Sequence, residues 1–210
     1  MKNLRLKNKP DIKKGLLLLL TVISLSLCFT MQSFAQIKTG ETAPDFVLND
    51  LNGKEYQLSQ FRNQQDYVVL CFLKGDDSNS IGKMDDIISF FRECNPGSSY
   101  QIIGVIAPPE DGNEEFLESF NKYQNIEGFP LVILAEEGTE VLESYDVEGF
   151  PNVFLLRYDL SIAKIYSRFN TREERSFYQY LNFIMHCSAN SSKNGSGCNG
   201  GVCPPPPGFE

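Results

Sequence analysis

Six cysteines carry the most distinctive chemistry in this chain of 210 residues. A cysteine thiolate is a nucleophile that exchanges disulfides, and its reactivity depends on exposure and on nearby positive charge. Cys71 lies inside an apolar run, where burial favours the neutral thiol, so we interpret it as core packing. The redox candidates are Cys94, Cys187, Cys198 and Cys203.

The last two of these candidates are close neighbours in the chain. Cys198 and Cys203 enclose four residues, two of them Gly, so a small disulfide loop is sterically easy. Two interpretations stay open: an inert loop, which we favour, or a mobile redox arm that exchanges electrons with a partner. A zinc site formed with His186 and Cys187 matches no standard ligand spacing. We therefore expect no metal and no cofactor, and the disulfide pairing stays open.

The first 35 residues predict export. Six Lys and Arg residues precede an apolar run, Leu16 to Leu27, that is shorter than a membrane span and interrupted by Thr and Ser. The sequence Ser33-Phe34-Ala35 then offers small side chains where a signal peptidase requires them. We expect cleavage before Gln36. The destination would be a bacterial periplasm or, as the alternative, the external medium.

Export also changes the charge of the chain. The full sequence carries a formal charge of −8, and loss of residues 1–35 removes six basic residues and one acidic residue, which leaves −13. Nucleic acids and anionic lipid surfaces are bound through Lys and Arg. We therefore expect no nucleic acid partner, and no membrane partner after cleavage. The sequence leaves the oligomeric state open.

Hydrophobic patterns after the cleavage site predict one α/β domain. Alternating apolar residues on either side of Asn52-Gly53 predict an N-terminal β-hairpin. Continuous apolar runs predict buried strands, and apolar residues at helical spacing predict helices. Strands are expected at 67–73, 102–106, 131–134, 153–156 and 162–166, the last two as an antiparallel pair, and helices at about 81–91, 111–123, 139–145 and 171–184.

Two helix starts and a tail complete this outline. Asp111 with Glu114, and Thr171 with Glu174, have the spacing of capping boxes. Residues 188–210 are rich first in Ser, Asn and Gly and then in Cys and Pro, which predicts a flexible tail. The predicted organisation is a signal peptide at 1–35, a folded domain at 36–187 and the tail at 188–210.

The order of these elements resembles the thioredoxin fold of exported TlpA-like and peroxiredoxin-related proteins. Three segments carry the resemblance: 40–46 with 58–61, 67–72, and 145–151 with 153–156. It implies a thioredoxin-like α/β domain with a central mixed sheet flanked by helices and an N-terminal β-hairpin extension. It also implies a cis peptide bond before Pro151, beside the start of the first core helix.

Such proteins work through a Cys-x-x-Cys pair at the start of that helix. Unpaired N–H groups and the helix dipole lower the pKa of a thiol there. Asp77 and Ser80 occupy the matching positions in this chain. The peroxiredoxin pattern fails equally, since its Pro, Thr and Cys positions hold Lys74, Ser78 and Ile81. A carboxylate or hydroxyl group caps a helix but forms no mixed disulfide, so we expect a degenerate redox site.

Two classes of function follow from these observations. In the first, the domain is a non-catalytic binding or accessory module, and the groove around Asp77, Ser80 and Pro151 holds a peptide or protein of the cell envelope. In the second, it is a thiol-disulfide oxidoreductase that uses Cys94 or the tail pair Cys198 and Cys203. A further alternative is docking through the proline run 204–207 of the tail.

Overall fold

The computed structural model describes residues 36–94, 96–107, 114–124, 126 and 129–186. The predicted signal peptide at 1–35 and the predicted tail lie outside these residues, as does Asp111. The strands are β1 (Val47–Asp50), β2 (Glu55–Gln57), β3 (Tyr67–Lys74), β4 (Tyr100–Ala107), β5 (Leu131–Ala135), β6 (Asn152–Arg157) and β7 (Ile162–Tyr166). The helices are α1 (Ser78–Cys94), α2 (Glu140–Ser144) and α3 (Thr171–Met185), with 3-10 segments at Leu58–Phe61 and Glu114–Tyr123.

All seven strands form one mixed sheet in the order β2-β1-β5-β4-β3-β6-β7. Strands β3, β4 and β5 are parallel to one another, and the remaining neighbours are antiparallel. Strand β3 lies between β4 and β6, and six consecutive residues of it are buried. A continuous apolar run is the pattern of a strand covered on both faces, so the predicted central strand is confirmed. Thioredoxin-like α/β architecture with a mixed sheet is likewise confirmed.

Alternate residues of β3 belong to two cores, one on each face of the sheet. Val69, Cys71 and Leu73 pack with α1 and α3, whereas Leu70 and Phe72 pack on the opposite face. Because the side-chain period of a strand is two residues, both cores anchor the same strand. The end of β3 is therefore held firmly where it leads into α1.

The N-terminal segment is tied to the rest of the domain by buried polar contacts. Tyr145 is fully buried, and its hydroxyl group donates to the Pro44 carbonyl oxygen at 2.7 Å. The Asp45 carboxylate accepts hydrogen bonds from the Ser59 N–H group at 2.9 Å and the Gln57 side chain at 2.7 Å. Burial alone would raise the pKa of Asp45, but these hydrogen bonds outweigh burial and lower it. These contacts join segments that carry the family resemblance.

Several local predictions need correction. Helix α3 is capped by Asn170, whose side chain accepts from the N–H groups of Arg172 and Glu173, so the predicted Thr171 capping box is wrong. The Glu174 carboxylate instead binds Lys83 of α1 at 2.8 Å, which draws it away from the helix start. Helix α1 begins at Ser78, three residues before the predicted start at about 81.

The predicted helix before β5 is a 3-10 helix in the described part, Glu114–Tyr123. Its Phe120 and Tyr123 side chains are buried, as expected for the inward face. None of the helices in the described segments has the length and apolarity needed to cross a bilayer.

Candidate functional site

The start of α1 is built around the Asp77 side chain. One carboxylate oxygen, Oδ1, accepts from the Asn79 N–H group at 3.1 Å. The other, Oδ2, accepts from the Ser80 N–H group at 3.0 Å and from the Ser80 hydroxyl group at 2.8 Å. Asp77 is therefore the N-cap of α1, as its place in the sequence indicates.

Ser80 connects this cap to the end of β3. Its side chain is fully buried, and its Oγ atom accepts from the Lys74 N–H group at 3.2 Å. The Asp77 N–H group also donates to the Lys74 carbonyl oxygen at 3.2 Å. The turn between β3 and α1 is therefore closed by hydrogen bonds. We call this set of Asp77, Ser80 and the Lys74 backbone the capping network.

The capping network changes the electrostatics of the helix start. Free N–H groups and the positive end of the helix dipole would stabilise an anion that arrives there. Here the Asp77 carboxylate already accepts from two N–H groups of the first turn. A second anion at this place would lack those donors and would meet a negative charge.

Pro151 lies at the same end of the sheet as the capping network. The Phe150–Pro151 peptide bond is cis, as the resemblance implies. Asn152, the next residue, pairs with Phe72 of β3, two residues before Lys74. The Pro151 carbonyl oxygen accepts from the Phe169 N–H group at 2.8 Å, which joins this segment to the loop after β7.

The two described cysteines differ in their chemistry. Cys71 is a fully buried free thiol, and burial raises its pKa to about 12. It is therefore neutral and inaccessible at ordinary pH. Cys94 is 6% exposed and forms a disulfide bond, so its sulfur is not a free nucleophile. The other redox candidates, Cys187, Cys198 and Cys203, lie outside the described residues.

Two buried acceptor atoms near the cis-proline segment were not predicted from the sequence. These are Oδ1 of Asn152 and Oε2 of Glu173, which have no hydrogen-bond partner among the described residues. For Asn152 the sequence offers one sign, a polar residue at the start of the apolar run of β6. The structure shows that its side chain is buried. Glu173 gave none, since an acidic residue in a first helical turn is ordinary.

The sequence pattern of the AhpC/TSA family matches residues 39–165, more than half of the chain. The chain belongs to the AhpC/TSA family. The chain is 27% identical to the thiol-disulfide oxidoreductase ResA of Geobacillus thermodenitrificans, over 80% of this chain and 93% of that protein. ResA of Bacillus subtilis is 26% identical, over 85% of this chain and 94% of that protein.

Solved structures of similar proteins show the same fold as this AhpC/TSA member. A putative protein disulfide isomerase from Bacteroides thetaiotaomicron has a TM-score of 0.55 and 22% identity, over 71% of this chain and 91% of that one. A putative thiol:disulfide interchange protein DsbE from Chlorobium tepidum has a TM-score of 0.53 and 17% identity, over 69% and 95%. At this level of identity the similarity establishes the fold alone.

Replacement of Asp77 by Ala tests the capping network. Asp77→Ala removes the acceptor of two first-turn N–H groups and of the Ser80 hydroxyl group, so the free energy of unfolding should fall by about 1 to 2 kcal/mol. Urea denaturation measures this loss. The matched control is Asp76→Ala, which removes a half-exposed carboxylate only 4.0 Å from Lys74 Nζ. An equal loss in both variants would show that the cap contributes nothing special.

The disulfide partner of Cys94 can also be predicted. The Gly97 N–H group donates to the Met185 carbonyl oxygen at 2.9 Å, so the chain just after α1 lies against the end of α3. Cys187 follows His186 directly, and covalent geometry keeps successive Cα atoms about 3.8 Å apart. Disulfides need Cα atoms about 4.4 to 6.8 Å apart, and we therefore expect a bond between Cys94 and Cys187.

Peptide mapping by mass spectrometry without reductant checks this pairing. The expected result is a peptide containing Cys94 linked to one containing Cys187, which separate when a reductant is added. A link from Cys94 to Cys198 or Cys203 would contradict the prediction.

Proposed function

We propose that this protein is an exported thioredoxin-fold module that binds a peptide or protein of the cell envelope without performing thiol-disulfide exchange. The capping network is the observation that carries this proposal. Asp77 and Ser80 stand where the resemblance places the two thiols of a redox pair. The family membership and the fold are established independently of that assignment.

Loss of exchange follows from the chemistry of the groups at the helix start. Exchange requires a thiolate that attacks a disulfide sulfur and forms a mixed disulfide. Neither a carboxylate nor a serine hydroxyl group forms that intermediate. The nearest described thiol in sequence, Cys71, has a pKa of about 12 and no exposed surface.

Binding does not require those thiols. In relatives with this arrangement, the segment around the cis-proline presents backbone to an extended peptide, and here it keeps its cis bond and its link to the loop after β7. In that loop, Arg168 is exposed and its side chain lies close against Gly149. A Cβ atom at position 149 would be 2.9 Å from the Arg168 Cγ atom. The two loops therefore form one continuous surface available to a partner.

Export is the second part of the proposal. Residues 1–35 have the pattern of a signal peptide, and Gln36 is the first residue of the compact unit that contains the domain. The disulfide at Cys94 suits an oxidising compartment. A periplasm is the destination we favour.

An oxidoreductase that uses the tail pair is the second candidate. The names of the relatives favour it, because ResA is a thiol-disulfide oxidoreductase. Cys71 is fully buried, so this candidate would use the tail pair Cys198 and Cys203 or the disulfide of Cys94, which is 6% exposed. The helix start would then take no part in the chemistry.

An insulin-reduction assay distinguishes the two candidates. With dithiothreitol as reductant, the mature protein should reduce insulin disulfides no faster than dithiothreitol alone, because no reactive thiolate stands at the helix start. ResA of Bacillus subtilis serves as the active comparison. Turnover at the level of ResA would contradict the proposal, and loss of that turnover in a Cys198→Ser, Cys203→Ser variant would assign it to the tail.

Binding is measured with a photoreactive side chain introduced at Arg168. In living cells it should cross-link an envelope protein, whereas the same group at Gln64, at the opposite end of the sheet, should not. Equal cross-linking at both positions would argue against a binding surface at the cis-proline end.

A further inference from the structure

A cavity of about 260 Å³ lies next to the cis-proline segment. Its wall includes the polar residues Gln36, Asp146, Asn152 and Glu173, and the ring of Tyr145. Asn152 connects the cavity to the functional end of the sheet, since it directly follows Pro151. The cavity is smaller than the roughly 300 to 1,000 Å³ of pockets that enclose drug-sized ligands, so it suits a single small group.

Two residues that line this cavity carry acceptor atoms without a hydrogen-bond partner in the described part of the chain. The Asn152 side chain is 3% exposed and its Oδ1 atom is unpaired, as is the Oε2 atom of Glu173. Buried polar atoms are nearly always paired, and an unpaired one destabilises the folded state. Burial raises the pKa of Glu173, and the hydrogen bond that its carboxyl group accepts from the Asn170 N–H group offsets only part of that shift.

The chemistry of these acceptors specifies what would complete the cavity. Asn152 Oδ1 and the carboxylates of Glu173 and Asp146 all accept hydrogen bonds, and two of these groups are acidic. A group with several N–H donors and a positive charge matches them. An ammonium group has three donors and the required charge.

Gln36 is the residue that can supply such a group. It lines the cavity, and it is the residue before which the sequence predicts cleavage. Within the precursor its nitrogen belongs to a peptide bond, with one N–H donor and no charge. Hydrolysis of the Ala35–Gln36 bond adds one water molecule across it, which leaves a carboxylate on Ala35 and an amine on Gln36 that takes up a proton.

We propose that the α-ammonium group of Gln36, created by removal of the signal peptide, binds in this cavity to Glu173 and Asn152, with Asp146 as a second carboxylate. The site thereby couples maturation to completion of the surface beside the cis-proline segment. This proposal rests on the export part of the proposed function. The Gly40 N–H group, which donates to the Ile162 carbonyl oxygen at 2.8 Å, keeps residue 36 within four residues of a fixed point on β7.

Melting temperatures of chains prepared to begin at position 36 test the proposal directly. Two chains are compared, one with a free α-amine and one with its α-amine acetylated. Both carry Gln36→Ser, because an N-terminal Gln can lose ammonia by cyclisation. Acetylation removes the charge and two donors, so the acetylated chain should melt about 2 to 4 °C lower, the shift that about 1 kcal/mol produces in a domain of this size. In a Glu173→Gln background the difference between the two chains should largely vanish.

Glu143→Gln provides the matched control. Glu143 is an exposed carboxylate on α2 that accepts from Thr139 Oγ1 at 2.8 Å and does not line the cavity. The effect of acetylation should persist in this background. No effect of acetylation, or an equal effect in Glu173→Gln and Glu143→Gln, would overturn the proposal. A lysine-containing tripeptide added to both chains provides a further test. An equal rise in the melting temperature of the free-amine and acetylated chains would also overturn the proposal, because the cavity would then be vacant and open to a partner's side chain.

The protein recovered from the cell envelope separates failure of this proposal from failure of export. An N-terminal sequence that starts elsewhere than Gln36 would refute the expected cleavage, whatever the melting data show. A mature chain that starts at Gln36 but has lost one ammonia would retain export and refute the ammonium site.

Discussion

The hydrogen bonds that Asp77 accepts at the start of α1 constrain what this end of the domain can bind. They satisfy the N–H groups of Asn79 and Ser80 with a carboxylate that belongs to the chain. The same helix start, with its N–H groups free, would stabilise an external anion or a thiolate. In this chain the positive end of the helix dipole and two of its N–H groups therefore serve a cap. The proposed function depends on Asp77 and Ser80 occupying the positions of a thiol pair.

The sheet explains why the capping network can hold one geometry. Strand β3 is buried on both faces, and its last residue, Lys74, donates its N–H group to Ser80 and accepts from the Asp77 N–H group. Strand β6 then brings Pro151 to the same end through its antiparallel pairing with β3. A cap, a cis-proline segment and the loop after β7 therefore meet on one rigid support. The proposed binding surface lies on this support.

Much of the fold followed from sequence because its signals are local. The central strand came from an unbroken apolar run, and the hairpin from an Asn-Gly turn. Helix α3 begins at Thr171 as expected, but its cap was predicted wrongly because Asn170, Thr171 and Glu174 satisfy two capping patterns. In the structure Asn170 is the cap, and Glu174 binds Lys83, a residue of another helix. Sequence spacing alone does not contain that contact.

The cavity next to the cis-proline segment shows the same limit more strongly. Gln36, Asp146 and Glu173 lie far apart in the chain, and only the packing of the N-terminal segment against β6 and α3 brings them together. Asn152 was the single local sign, as a buried polar residue at the start of an apolar strand. Asp77 and Ser80, in contrast, were predictable because strand, turn and helix follow one another directly.

Replacement of Asp77 and Ser80 by cysteines tests most directly whether the start of α1 can support thiol-disulfide exchange. The double variant Asp77→Cys, Ser80→Cys places two thiols at a helix start that has the dipole and, without Asp77, the free N–H groups. We predict that this variant reduces insulin and that the unmodified protein does not. The pKa of its nucleophilic thiol should lie below the ordinary value of about 8.5. A folded double variant without exchange activity, or with a thiol of unshifted pKa, would contradict the claim that this helix start is the former redox site.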